Sequence, residues 1–212
     1  MRFMNRTHAG RKLARPLDPL KGEATVVLGL PRGGIPVGFE VARRLSAPLE
    51  VLLVRKLGAP FQPELAIGAL GEGGIQIIDE DRVRRLRIGS DHIERLVRQE
   101  QNEMTRQAEV FRQSNQSVDL YGKTAVIVDD GIATGSTAQA ACAIARRQGA
   151  DRIVMAAPVA PCHAPATFAG TADEFVAVSM PRRFSAIGHF YADFRPTPDH
   201  QVVELLERAR QG

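Results

Sequence analysis

Cysteine is scarce in this sequence, and lysine is missing from everything beyond position 123. The two cysteines, Cys142 and Cys162, lie far apart with no CxxC pair, which excludes a disulfide framework and a thiolate zinc site. Cys142 falls among alanines in a helical pattern and reads as a small buried residue. No apolar run reaches the ~20 residues a helix needs to cross a bilayer. The opening stretch "MRFMNRTHAGRKLARPL" carries Arg and Lys without acids but lacks the apolar centre of a secretory signal. The expectation is a cytoplasmic protein. His8, His92, His163, His189 and His200 are scattered without metal-ligand spacing, and none has an obvious Ser or Cys partner in sequence, so no nucleophilic triad is assigned. No internal repeat, low-complexity segment or clean linker divides the chain, so residues 1–212 are expected to form one domain.

What is present is ordinary in bulk and unusual in detail. With 212 residues, 44% hydrophobic and 25% charged, the chain can bury one substantial core. A net charge of +4 and a pI near 9.5 suit an acidic small molecule or a nucleic acid, without choosing between them. Strand-like runs alternate with helical patterns. "TVVLGL" leads through "PRGGIP" into the helical "VGFEVARRL", and "EVLLV" follows as a second strand. "ELAIGAL" and "IQIID" flank "GEGG" and predict a hairpin. Asp91 to Gln113 reads as a long charged helix over an apolar stripe. "TAVIVDD", a helix from Ser136 to Gln148, "RIVMAAPV", a short helix near "APATFAG", "EFVAVS" and a last helix "PDHQVVELLERARQ" complete the chain. Strands apolar on both faces, alternating with helices, predict an α/β fold with a parallel twisted sheet flanked by helices. Ligands in such folds sit where strands end and loops turn into helices.

One such loop is "AVIVDDGIATGSTAQAA", Ala125 to Ala141. Its small residues let backbone amides approach a ligand, and the start of a helix favours a negative guest. Thr134, Ser136 and Thr137 add hydroxyls. Without a Gly-Lys-Ser/Thr ending it is no Walker loop, and "GLPRGGIPVG" has the wrong spacing for a dinucleotide fingerprint. Asp129 and Asp130 stand beside this anion site. Ionised carboxylates accept hydrogen bonds and donate none, so they would repel a phosphate unless they face hydroxyls. A sugar phosphate meets both demands.

These residues resemble the phosphoribosyl pyrophosphate signature of type I phosphoribosyltransferases: four apolar residues, Asp-Asp, a short loop and Thr-Gly-Ser-Thr. "VVLGLPRGGIPVG" is similar to that family's pyrophosphate loop, and "VLLVRKLGAP" to its second strand with a basic end. The stretches "FMNRTHAGRKLA" and "PRRFSAIGHFYADFRPTPD" are similar to bacterial members of the family, so the resemblance spans nearly the whole chain. It implies a flexible β-hairpin loop over Leu57 to Gly74 and a small C-terminal hood over about 180–197. It places the ribose hydroxyls on Asp129 and Asp130, the 5′-phosphate on Ala133, Thr134, Gly135, Ser136 and Thr137, and pyrophosphate on Arg32, Gly33 and Gly34. Arg55 or Lys56 would reach the same group. Arg32, Lys56, Asp129 and Asp130 form the expected catalytic set. A cis peptide bond is expected at Pro31–Arg32.

The implied reaction moves a phosphoribosyl group from 5-phosphoribosyl 1-pyrophosphate (PRPP) to a nitrogenous base or amine. Mg2+ would be held mainly through PRPP and pyrophosphate, so no protein metal ligand is named. A homodimer is expected from the same resemblance. In the hood, Phe184, Phe190 and Tyr191 offer either a stacking face for the base or core and dimer contacts. The competing reading is a PRPP-sensing regulator that binds nucleic acid. Against it, Glu94, Glu100, Glu103 and Glu109 interrupt the arginines of the long helix. The acceptor stays open, because neither the purine-specifying residues nor the basic orotate-type loop can be matched.

Overall fold

The computed structural model describes residues 2–113 and 117–211. Along the chain come α1 (Arg6–Leu13), β1 (Thr25–Gly29), α2 (Gly34–Leu45), β2 (Leu49–Val51), β3 (Val54–Ala59), β4 (Gln62–Gly71) and β5 (Gln76–Ile78). They are followed by α3 (Glu80–Arg85), α4 (Ser90–Arg112), β6 (Thr124–Val128), α5 (Ser136–Arg147), β7 (Arg152–Val159), α6 (Ala164–Phe168), β8 (Glu174–Ser179) and α7 (Asp199–Gln211).

Five strands form one all-parallel sheet in the order β2-β1-β6-β7-β8. This is the expected α/β architecture. Side chains alternate across it as strand geometry requires. Val27, Val126, Val128, Val154 and Ala156 face a core completed by α2, α4 and α7. Val26, Leu28, Ala125, Ile127, Ile153 and Met155 face the opposite core, where the small residues Ala138, Ala141, Cys142 and Ala145 let α5 lie close to the sheet. Burial raises the Cys142 thiol to about 12, as befits the packing residue expected there. The chain leaves β1 toward β2 on one side, then returns to place β6 on the other. That reversal opens a crevice at the carboxyl ends of β1 and β6, where such folds bind ligands.

The structure departs from the expected elements in three places. The strand expected over Glu50 to Val54 splits: Leu52 N–H still donates to Gly29 O (3.0 Å), but Val54 already begins the second sheet. That sheet is antiparallel, in the order β3-β4-β5. The hairpin around "GEGG" is present as β4–β5, with Leu70 opposite Gln76, and β3 adds a third strand. Helices α1 and α3 carry too few buried residues to mark their period in sequence; α1 buries only Ala9, Gly10 and Leu13, and α3 only Val83.

The third departure concerns the hood, which is not built from C-terminal residues alone. Phe3 N–H donates to Phe190 O (2.7 Å), Ala192 N–H to Phe3 O (2.8 Å), and Asp193 N–H to Met4 O (2.9 Å). Phe3, Ala9, Val159 and Tyr191 form its buried centre.

Candidate functional site

Two loops meet at the sheet crevice. The first, residues 30–33, leaves β1 and enters α2; the second, residues 129–135, leaves β6 and enters α5. Leu30 N–H donates to Val128 O (2.9 Å), which holds the loops side by side. The Pro31–Arg32 peptide bond is cis, as expected. Gly33 is required by close approach: a Cβ there would lie 2.0 Å from Asp130 Oδ2. Gly135 has φ of +80° at the cap of α5, a conformation only glycine adopts freely. The first turn of α5 thus begins abruptly. Gln139 N–H makes the helix's first backbone bond, to Gly135 O (2.8 Å), so the N–H groups just before it lack intrahelical partners. Ala133, Thr134 and Thr137 are exposed and Ser136 half-buried; the Thr134 and Ser136 hydroxyls lie 3.2 Å apart.

A cleft of about 360 Å³ lies against these loops, lined among others by Arg6, Arg32, Gly33, Arg55, Thr137 and Thr197. Three guanidinium groups therefore share one concavity. Each holds an acid: Arg6 Nε donates to Asp130 Oδ2 (2.8 Å), Arg32 Nε to Asp199 Oδ1 (2.5 Å) and Arg55 Nε to Glu100 Oε2 (2.6 Å). Lys56 does not line this cleft. Adjacent strand residues face opposite ways, and Lys56 Nζ instead pairs with Glu64 across the hairpin (3.0 Å).

The acid pair is partly withdrawn from solvent. Asp129 is half-buried, and its Oδ1 accepts the Asp130 N–H (2.8 Å). Burial, followed by the charge of Asp130, raises Asp129 to about 8. Burial also raises Asp130, while the Arg6 guanidinium opposes that rise. Two carboxylates out of water cannot both stay charged cheaply; Arg6 is the compensating cation. Arg6 carried no role in the sequence reading. Its signal was faint: an Asn at the cap of a short helix, with the Asn5 side chain accepting the His8 N–H (2.9 Å).

Of the three hood aromatics singled out, Tyr191 resolves into the core, while Phe184 and Phe190 are half-buried. Tyr191 is 2% exposed, packs against Phe3 and Phe194, and its hydroxyl donates to Asp130 O (2.6 Å). It offers no face to a base. Phe184 and Phe190 stack on each other with centroids 5.6 Å apart.

A family model described as the phosphoribosyl transferase domain matches residues 4–167. Two Mycobacterium tuberculosis proteins, named "Putative phosphoribosyl transferase" MT0597 and Rv0571c, are each 51% identical over 209 residues, 99% of this chain. The chain spans about half the length of these curated relatives, 47%. A crystal structure of TT1426 from Thermus thermophilus is 42% identical, with a TM-score of 0.90 over 98% of this chain and 99% of that one. The AQ2163 protein of Aquifex aeolicus, at 13% identity and a TM-score of 0.50 over 86% of this chain and 78% of that one, shares the fold alone. The loops, the crevice and these likenesses agree: the chain belongs to the phosphoribosyl transferase family.

Proposed function

We propose that the chain transfers the phosphoribosyl group of PRPP to a nitrogenous base or amine and releases pyrophosphate. The observation that carries this reading is the juxtaposition, at the carboxyl ends of the adjacent strands β1 and β6, of an acid pair, a helix-start anion loop and an arginine-lined cleft. In this reading Asp129 and Asp130 accept hydrogen bonds from the ribose hydroxyls. The amides and hydroxyls of Ala133 to Thr137 hold the 5′-phosphate. Arg32, Gly33 and Gly34 take the pyrophosphate with Arg55. Lys56, pointing off the cleft, is given no place in the set.

Reaction at C1 breaks the bond to the pyrophosphate oxygen, whose electron pair leaves with it, as a C1–N bond forms and any proton on the acceptor nitrogen passes to solvent. Positive charge builds on the ribose and negative charge on the leaving group. Fixed guanidiniums near the latter and carboxylates near the former stabilise that separation without reorganising. Among the described residues no cluster of three or more His, Cys, Asp or Glu side chains could hold a metal, and Arg6 takes one oxygen of Asp130, Oδ2. This donor set fits magnesium carried on substrate phosphates, which keeps most of its own waters; when bound there it supplies charge neutralisation of the leaving group. The whole chain, 1–212, serves as one catalytic unit, in the cytoplasm and as a homodimer.

The test is thermal unfolding and calorimetry with PRPP and Mg2+, followed by a panel of bases. Ligand at a hundredfold excess over its Kd should stabilise the protein by about 2.7 kcal/mol. Joint replacement Asp129→Asn and Asp130→Asn should abolish most of that gain. No stabilisation of the unaltered protein would refute the reading. Binding without turnover on any base, with nucleic-acid shifts persisting at physiological salt, would favour the PRPP-sensing regulator instead.

A further inference from the structure

Arg6 makes three contacts with two parts of the molecule remote from it in sequence, the signature loop and the hood. Its Nε donates to Asp130 Oδ2 (2.8 Å), its Nη1 to Arg195 O (2.7 Å), and its guanidinium carbon stands 4.2 Å over the Phe194 ring. The side chains of Arg6 and Asp130 are each only 12% exposed. From the other side, Tyr191 packs against Phe194 and fixes Asp130 through its carbonyl. The pair also lies directly against Gly33, where a Cβ would meet both Asp130 Oδ2 (2.0 Å) and Arg6 Nε (3.2 Å). So the N-terminal helix, the hood, the β1–α2 loop and the signature acids converge on one carboxylate. The contact uses a single carboxylate oxygen, Oδ2.

A strut that merely tied the N-terminus to the hood would not need to end on a signature acid. An arginine is suited to this place. It stays charged under all relevant conditions, its planar fork spreads donors over two acceptors, and it stacks on an aromatic face. The groups facing Asp130 are Asp129 on its own loop, Arg6 from α1 and Tyr191 from the hood; Asp193 and Arg195 stand behind Arg6. Arg6 is the cation bonded directly to the acid pair. Without it, burial would drive Asp130 toward its neutral form.

We propose that Arg6 is a positioning residue for sugar recognition: it fixes the Asp130 carboxylate in one orientation and balances its charge, so that the acid pair accepts hydroxyl hydrogen bonds. This rests on the site being the PRPP site. It assigns a recognition role to the N-terminal helix, which otherwise reads only as a cover over α2.

The experiment compares two Mg2+-free probes by calorimetry from pH 6 to 9: ribose 5-phosphate, which carries the diol, and inorganic pyrophosphate, which does not. The proteins are the unaltered chain, Arg6→Gln and Arg6→Lys. Arg6→Gln should weaken ribose 5-phosphate at least tenfold and pyrophosphate less than threefold. Its affinity for ribose 5-phosphate should also fall off at a distinctly higher pH, because the acid pair, both members of which Arg6 helps to keep charged, now takes up its proton sooner as pH drops. Phosphate ionisation is common to all three proteins and cancels in the comparison. Arg6→Lys keeps the charge and should leave that pH limb unmoved, with a three- to tenfold loss from its poorer geometry; it carries the test if the glutamine variant does not fold. Equal losses for both probes, or an unshifted pH limb in Arg6→Gln, would overturn the positioning role. An unaltered protein that binds neither probe would refute the site reading itself.

Discussion

At the scale of single residues, Asp129 sets the sharpest expectation. Its folded pKa, near 8, lies above the ordinary value of 3.8. Its contribution therefore favours folding fully below about pH 4 and is lost as pH rises to about 8, where the folded protein must bury a charge that the unfolded chain carries in water. Asn at this position does not titrate and keeps an acceptor for the Asp130 N–H. Asp129→Asn should accordingly be more stable than the unaltered protein, by a margin that widens as pH rises from about 4 toward 8 and then levels. Chemical denaturation across that range measures it. A site that costs stability in the free protein and regains it on binding is the usual pattern for recognition. Gly34 illustrates the opposite kind of constraint. A Cβ there would sit 2.4 Å from Val128 O, a backbone atom that cannot give way. Gly34→Ala should lose ~1 to 3 kcal/mol by thermal or urea unfolding, with loss of ligand stabilisation as the loop shifts off the cleft.

At the scale of elements, Arg112 locks the end of α4 to the sheets. It donates to Glu50 Oε1 on β2 (3.1 Å), to Glu72 beyond β4, and to Val51 O (2.9 Å). Glu50 is 3% exposed and also accepts the Val51 N–H. Removing the arginine would leave an uncompensated buried carboxylate, and Arg112→Met should cost ~3 to 5 kcal/mol in urea unfolding. Adding Glu50→Gln should recover part of that loss, since the stranded charge is then gone. The sequence displayed α4 well, because its 23 residues repeat an apolar stripe over many turns. It displayed α1 poorly, because one short, charged helix offers too few repeats for a period to stand out. The β3 strand was misplaced for another reason. An apolar run continues through Leu52 and Leu53, and nothing local marks where pairing passes from one sheet to the other.

At the scale of the molecule, the N-terminal residues and the hood form one body. The backbone bonds from Phe3 and Met4 to residues 190–193, with the ring contact to Tyr191, make the hood dependent on the chain's first turn. Deleting residues 2–5 should leave the parallel sheet folded yet expose the hood. Trypsin should then cut after Arg182 or Arg183 at least tenfold faster, as read by mass spectrometry of a time course, because local opening follows the loss of buried contacts. PRPP affinity should fall in the same deletion, since Phe3 supports Tyr191 and Tyr191 supports Asp130.

The order of apolar runs and helical stripes by itself determined the α/β class, and the stretch from Ala125 to Thr137 marked where the candidate site lies. Both are local: side-chain period and small-residue spacing are written along the chain. Which cations serve that loop was decided only in three dimensions. Arg55 rather than Lys56 faces the cleft because strand alternation and pairing fix which side of β3 turns inward. Arg6 reaches Asp130 across 124 positions because α1 packs on α2 and the hood folds over both. Tyr191, outwardly a candidate base platform, became core for the same reason. Buried charge must find its partner wherever folding brings one, and no pattern along the chain announces that meeting.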